Sequence, residues 1–286
     1  MELTTKKISP KGESFAKFFN PFQIIIHLWQ YRDLIIQLTR REVISRYKGS
    51  IIGLGWAVIH PLLMLSVYTY VFSIVFSSRW KHEPGEIDTP FVLILFIGLI
   101  TFQIFSEAIN SAPSLVLDNA NYVKKVIFPL EILVVIKCLS TLINAFFSLA
   151  ALIIGFLLLM HFLHWTILLL PIVWLPMIFF TMGCGYFLSS LGVFIRDLNS
   201  SISILTTMLF FLTPVFYSTH AVPEQFRFFY QINPIAIFIN DSRRVMLWGL
   251  LPDWPSFFVG MTCSLFTLVL GFVFFMKSKK GFADVI

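Results

Sequence analysis

Apolar runs of about twenty residues recur along this chain, divided by short clusters of charge. Each run is long enough to cross roughly 30 Å of hydrocarbon as a helix. In that setting every backbone polar group must find its partner inside the protein, which leaves helices as the natural reading of such runs. A soluble chain of 286 residues could not hide so many apolar faces in one core. Composition agrees: 13% of residues are charged, against about a quarter in soluble domains, and 57% are hydrophobic.

The expected fold is an all-α integral membrane protein with six transmembrane helices, at about 51–76, 90–111, 130–162, 166–194, 200–217 and 254–276. Residues 1–20 are polar and read as a flexible cytoplasmic N-terminus; with lysines but no apolar core, they are not a signal peptide. Asn20-Pro21 is a helix-start signal. It opens an amphipathic helix over 21–50, expected to lie in the membrane interface although its apolar stripe is imperfect. Residues 113–129 read as a cytoplasmic link and 277–286 as a cytoplasmic tail.

The segment 218–252 decides the topology. Were Pro234–Leu251 to span, Arg243 and Arg244 would fall near mid-membrane, at a cost of about 3 kcal/mol each on insertion scales. It reads instead as a short re-entrant pair of helices on the outer face, broken at Asn233-Pro234. With six spans, most of the 21 Lys and Arg fall in cytoplasmic segments, which places both termini inside. The net charge of +6 is thus a topology signal and an attraction to anionic lipid, not a nucleic-acid surface.

Soluble chemistry is thinly represented. No GxxxxGK[ST] phosphate loop, HExxH pair or GxSxG elbow occurs. Cys138, Cys184 and Cys263 sit singly in apolar runs and read as fillers, so neither a metal site nor a disulfide framework is expected. Glu107, Glu131 and Lys137 are the main ionisable residues within the spans, each near a membrane surface and open to local pairing. Ion-coupled transporters keep acids near the midplane, so the driving energy is expected from elsewhere. Gly183-Cys184-Gly185 with Ser189, Ser190 and Gly192 forms a small-residue face suited to close helix packing. Tyr68, Tyr70, Trp174, Tyr186, Phe210, Phe211, Phe216 and Tyr217 lie along the spans. Aromatic faces stack on sugar rings, so these are candidates to line a channel; helix packing is the alternative for each.

The stretch Leu34–Leu63, LIIQLTRREVISRYKGSIIGLGWAVIHPLL, resembles the N-terminal signature of permease subunits of ABC-type bacterial polysaccharide exporters, those for O-antigen, capsule and teichoic acid. Asn121–Pro129 (NYVKKVIFP), Phe194–Leu198 (FIRDL) and Lys280–Ile286 (KGFADVI) fit as well, and the longer N-terminal extension suits the O-antigen branch. The resemblance implies a homodimer around a channel in the bacterial inner membrane, with two copies of a soluble ATPase subunit that use ATP and Mg; this chain itself would bind no cofactor. The cargo would be a polysaccharide on a polyprenyl diphosphate. Arg40, Arg41, Arg46 and Lys48 are the candidates for its diphosphate, since guanidinium forks match phosphate oxygens. Asn121, Tyr122, Lys124, Lys125 and Arg32 are the candidates for contact with the ATPase. The alternatives are an ABC-type permease for a drug, lipid or haem, and a membrane-bound transferase, which would need converging acid, base or metal ligands.

Overall fold

The computed structural model describes residues 20–76, 80, 88–123, 128–218, 222–225, 228 and 233–286. The expected flexible segment therefore lies, but for residue 20, outside the described residues. Among those described, all regular structure is helical.

The expected interfacial helix is two helices. The first, α1 (Pro21–Trp29), starts where the sequence signals it: the Asn20 side chain accepts a hydrogen bond from the Phe22 amide, with Pro21 at the first helical position. A turn at Gln30–Tyr31 leads into α2 (Arg32–Tyr47). The break serves packing on two surfaces. Ile24 and Leu28 of α1 are buried beside the last span, whereas Ile35, Thr39 and Val43, spaced by four, lay α2 against the third. Gly49 and Gly53 then turn the chain into the membrane with φ of +89° and +56°, values that other residues rarely adopt.

Among the described residues, five helical segments are long and apolar enough to cross a membrane. α3 (Trp56–Tyr68) continues through a π-helical turn to Val75. α4 (Phe91–Ser111) is followed by a link carrying the short α5 (Ala120–Val123). α6 (Ile132–Met160) ends at His161 in the left-handed conformation, and a 3-10 turn at Trp165–Leu169 leads into α7 (Leu170–Phe194). The fifth is α10 (Trp254–Ser278), extended by the short α11 (Phe282–Val285).

The expected span at 200–217 is shorter than the others. Its helix, α8, is Leu198–Leu212, 15 residues or about 22 Å, less than the hydrocarbon thickness. Thr213 leaves helical geometry because Pro214 follows it and disfavours the helical region for its predecessor. Within the segment expected to form a helix pair lies α9 (Pro234–Met246), capped by the Asn233 side chain, which accepts from the Ile235 amide. The other member falls largely on residues outside the described set.

The core has two parts. One joins α4, the C-terminal half of α6, the start of α7 and α9. The other joins α1, the N-terminal half of α6, the end of α7 and α10. In lipid, apolar surface gains little by leaving its solvent, so close van der Waals contact must hold the helices together. Gly183 and Gly271 supply it: α7 and α10 approach so closely that a Cβ on either would strike the other helix's backbone.

Candidate functional site

A groove runs along the flank formed by α3 and α8, with α4 and α6 as its floor. It consists of two adjoining cavities of about 440 and 350 Å³ that share His60, Pro61, Gln103 and Ser148. The first cavity opens between Arg46, Tyr47 and Trp56; the second ends at Tyr68 and Phe210. Polar side chains line a passage whose walls are otherwise apolar. On α4 they are Gln103, Ser106 and Asn110; on α8 they are Thr206 and Thr207. Thr206 donates to the Asn110 amide oxygen at 2.7 Å, joining the two helices across the groove. Gln103, Ser106, Glu107 and Asn110 follow the spacing i, i+3, i+4, i+7, which puts them on one face of α4. That polar stripe is readable in the sequence, and a search for charged and aromatic residues alone passes over it.

The Arg46 end of the groove is a charge cluster. The Arg46 guanidinium of α2 pairs with the Glu107 carboxylate of α4. Lys137 of α6 stands 3.9 Å from the same Glu107 oxygen and 3.6 Å from Glu42. Burial disfavours the charge on Arg46, but the Glu107 carboxylate outweighs it and holds the guanidinium above its ordinary pKa. Tyr47 donates to Asn144 at 3.2 Å, so α2 is fixed to both α4 and α6 beneath the groove.

The four cations expected at the diphosphate therefore separate. Arg46 lines the groove. Arg41 lies instead by the link after α4, where it donates to the Tyr122 hydroxyl at 3.0 Å and borders a cavity of about 190 Å³ with Asp118 and Lys137. Arg40 and Lys48 are exposed on the same helix and its end. Of the residues expected at the ATPase, Tyr122 stacks on Phe128 with centroids 4.2 Å apart, Asn121 is exposed, and the Arg32 guanidinium lies over Trp29. Lys124 and Lys125 lie outside the described residues.

The channel aromatics separate too. Tyr68 and Phe210 border the groove, Phe210 packs against Phe102, Phe211 and Phe216, and Tyr217 donates to the Phe211 carbonyl. Tyr70 is exposed on the π turn. Trp174 is 1% exposed and donates its indole N–H to Ser242, so within this fold it is a core residue and lines neither cavity of the groove. Tyr186 is likewise buried, with its hydroxyl on the Glu131 carbonyl.

Two further polar centres tie the fold together. Glu131, just before α6, accepts from His27 Nε2 at 2.9 Å and from Lys279 Nζ at 2.7 Å, binding both ends of the chain to the bundle. Burial would raise its carboxyl, but the His27 hydrogen bond and the Lys279 charge outweigh that and hold it down at about 2. On the opposite side, Arg243 of α9 is 2% exposed. Its guanidinium donates to the carbonyls of Pro214 at 2.9 Å and Val215 at 2.8 Å, groups freed where α8 unwinds, and to Ile94 at 3.3 Å. It also lies 4.7 Å from the Trp80 ring. The cost of burying the Arg243 charge is thus met by hydrogen bonds to the backbone. Beside it, burial pushes the Asp241 carboxyl up to about 6, against the opposing hydrogen bond from the Asp253 amide. Among the described residues, no group of three or more His, Cys, Asp and Glu converges as a metal site would.

Comparison with known proteins gives a consistent set. Residues 33–247 match the ABC-2 type transporter family. The chain is 27% identical over 266 residues to the O-antigen export system permease protein RfbA of Myxococcus xanthus, across 92% of this chain and 99% of that one. It is 27% identical over 257 residues to RfbA of Klebsiella pneumoniae, across 89% and 95%. It is 23% identical over 248 residues to the polysialic acid transport protein KpsM of Escherichia coli, across 84% and 92%.

Proposed function

Because the chain belongs to the ABC-2 type transporter membrane family, we propose that it is the channel-forming permease subunit of an ATP-driven exporter of lipid-linked polysaccharide of the O-antigen kind. The observation that carries this reading is near full-length similarity to permeases named for O-antigen export, more distant similarity to one named for polysialic acid, and a polar groove inside the membrane domain. Two copies pair in the bacterial inner membrane, with termini on the cytoplasmic side. α8 completes a sixth crossing with the unwound residues after Thr213, whose freed carbonyls are covered by protein rather than lipid. The α3 and α8 flanks are little buried within one chain, which leaves them for a second copy and for cargo.

The groove suits a sliding polymer. Amide and hydroxyl groups of Gln103, Asn110 and Thr207 can exchange hydrogen bonds with sugar hydroxyls, and Tyr68 and Phe210 offer ring faces that tolerate many sugars. No single strong contact fixes one position. Arg46 at the inner mouth takes the diphosphate. Two ATPase subunits, using ATP and Mg, dock beneath the link; α2 transmits their motion, since it holds Tyr122 through Arg41 and α4 through Arg46. Deletion of the gene should leave lipid-linked polymer on the cytoplasmic face and strip it from the cell surface, with both restored by the gene in trans. Normal surface polymer in the deletion strain would refute the assignment.

A further inference from the structure

The anion beside the groove's principal cation is supplied by the chain itself. Arg46 borders the first cavity, yet its guanidinium pairs with Glu107, whose side chain is 19% exposed. Lys137, 14% exposed, stands within 4 Å of the same carboxylate, and Glu42 lies on its other side. The two cations are therefore matched by two carboxylates. A diphosphate that approached this cluster as it stands would meet no net positive charge and would face the Glu107 carboxylate at close range. A guanidinium fork, in contrast, can bind either a carboxylate or a phosphate, and it presents the same N–H groups to both.

The geometry points to Glu107 as a built-in counter-anion that occupies Arg46 while the mouth is empty and is displaced by the diphosphate of the arriving cargo. This rests on the export reading above and deepens it, because it assigns selectivity at the mouth. A neutral sugar or a weakly charged lipid phosphate does not compete with a carboxylate already in place, whereas a diphosphate, with more charge and more acceptor oxygens, does. Exchange also has a mechanical result. The Arg46–Glu107 pair joins α2 to α4, and Glu107 lies on the polar stripe between Gln103 and Asn110. When the pair parts, α2 is released from α4, while Tyr47 still holds it to α6 and Arg41 still holds the link through Tyr122. Headgroup arrival is thereby transmitted to the face where the ATPase docks.

The test uses the complete transporter, this chain with its ATPase, in phosphatidylcholine nanodiscs, titrated with a polyprenyl diphosphate bearing no sugar. Glu107→Gln keeps the shape of the side chain and removes its charge; it should tighten binding on the order of tenfold, the value of one charge-assisted contact regained. Arg46→Ala should abolish the tightening, and the double variant should behave as Arg46→Ala alone. Glu107→Asp, which withdraws the carboxylate by one methylene, should give a smaller gain and serves if the Gln variant does not fold. Excess phosphatidylglycerol should compete weakly with the wild type; equal competition would mean a general phospholipid site and overturn the selectivity. Unchanged or weaker binding in a monodisperse Glu107→Gln complex would overturn the inference while leaving the export reading intact. Surface polymer in the deletion strain would remove the reading beneath it.

Discussion

α3 and α4 are consecutive spans of similar character, with mean hydropathies of 1.8 and 2.2, and they meet opposite surroundings. In its most apolar stretch α4 has 78% of its residues buried by the rest of the chain, and α3 only 6%. α4 belongs to a packed body with α6, α7, α9 and α10. α3 and α8 form a flank with Leu63, Val67, Leu205 and Met208 outward. Apolarity alone qualifies a helix for the membrane, and it says nothing about whether lipid, a partner or the same chain will cover it. In this protein the covered helix carries the polar stripe, and the uncovered ones form the walls beside it.

The sharpest way to break the contrast is to overfill the body. Gly271→Leu drives a side chain into the Gly183 backbone, with no flexible neighbour to yield. It should cost more than about 3 kcal/mol and remove the monodisperse peak in mild detergent. Met208→Leu on the flank should leave that peak in place. A smaller effect is expected at the Arg243 clamp. Arg243→Ala orphans the Pro214 and Val215 carbonyls, removes a second donor from the Ile94 carbonyl, and should destabilise by on the order of 3 kcal/mol, read as a fall in Tm. Arg243→Lys should recover only part of it, since an ammonium lacks the guanidinium's fork.

The smallest effect concerns the Glu131 latch to His27 and Lys279 and depends on pH. The Glu131 carboxyl lies at about 2 in the folded protein, against an ordinary 4.5, so the native state favours its ionised form. That stability is present in full above the ordinary value and is lost as pH falls from about 4.5 toward 2. Thermal melts of wild type and Glu131→Gln should converge over that interval, and a constant difference would assign the latch to other groups.

Much of this body was legible in the sequence. Asn20-Pro21 announced a helix start and the Gly183–Gly192 face announced close packing, because caps and small residues act locally. The break at Gln30–Tyr31 was not, because it depends on two packing surfaces far apart in the chain. The short α8 was half legible: Pro214 marked its end, but the donor that satisfies the freed carbonyls, Arg243, comes 29 residues later. At the site, Arg40, Arg41, Arg46 and Lys48 were indistinguishable as a cluster of basic residues. Only helical phase and neighbours send Arg41 to Tyr122 and Arg46 to Glu107. Trp174 looked like a channel aromatic because the sequence does not reveal that Ser242 waits for its N–H.

Under the proposed export function, polymer passes along the flank of α3 and α8, past the polar stripe of α4. A photo-crosslinking residue at Gln103, in cells making the polymer, tests this most directly, with Phe266, exposed on α10, as the comparison position. Glycan adducts are expected at Gln103, dependent on the ATPase, with few at Phe266. Equal labelling at both positions, or none at Gln103 in a strain that still exports, would contradict it.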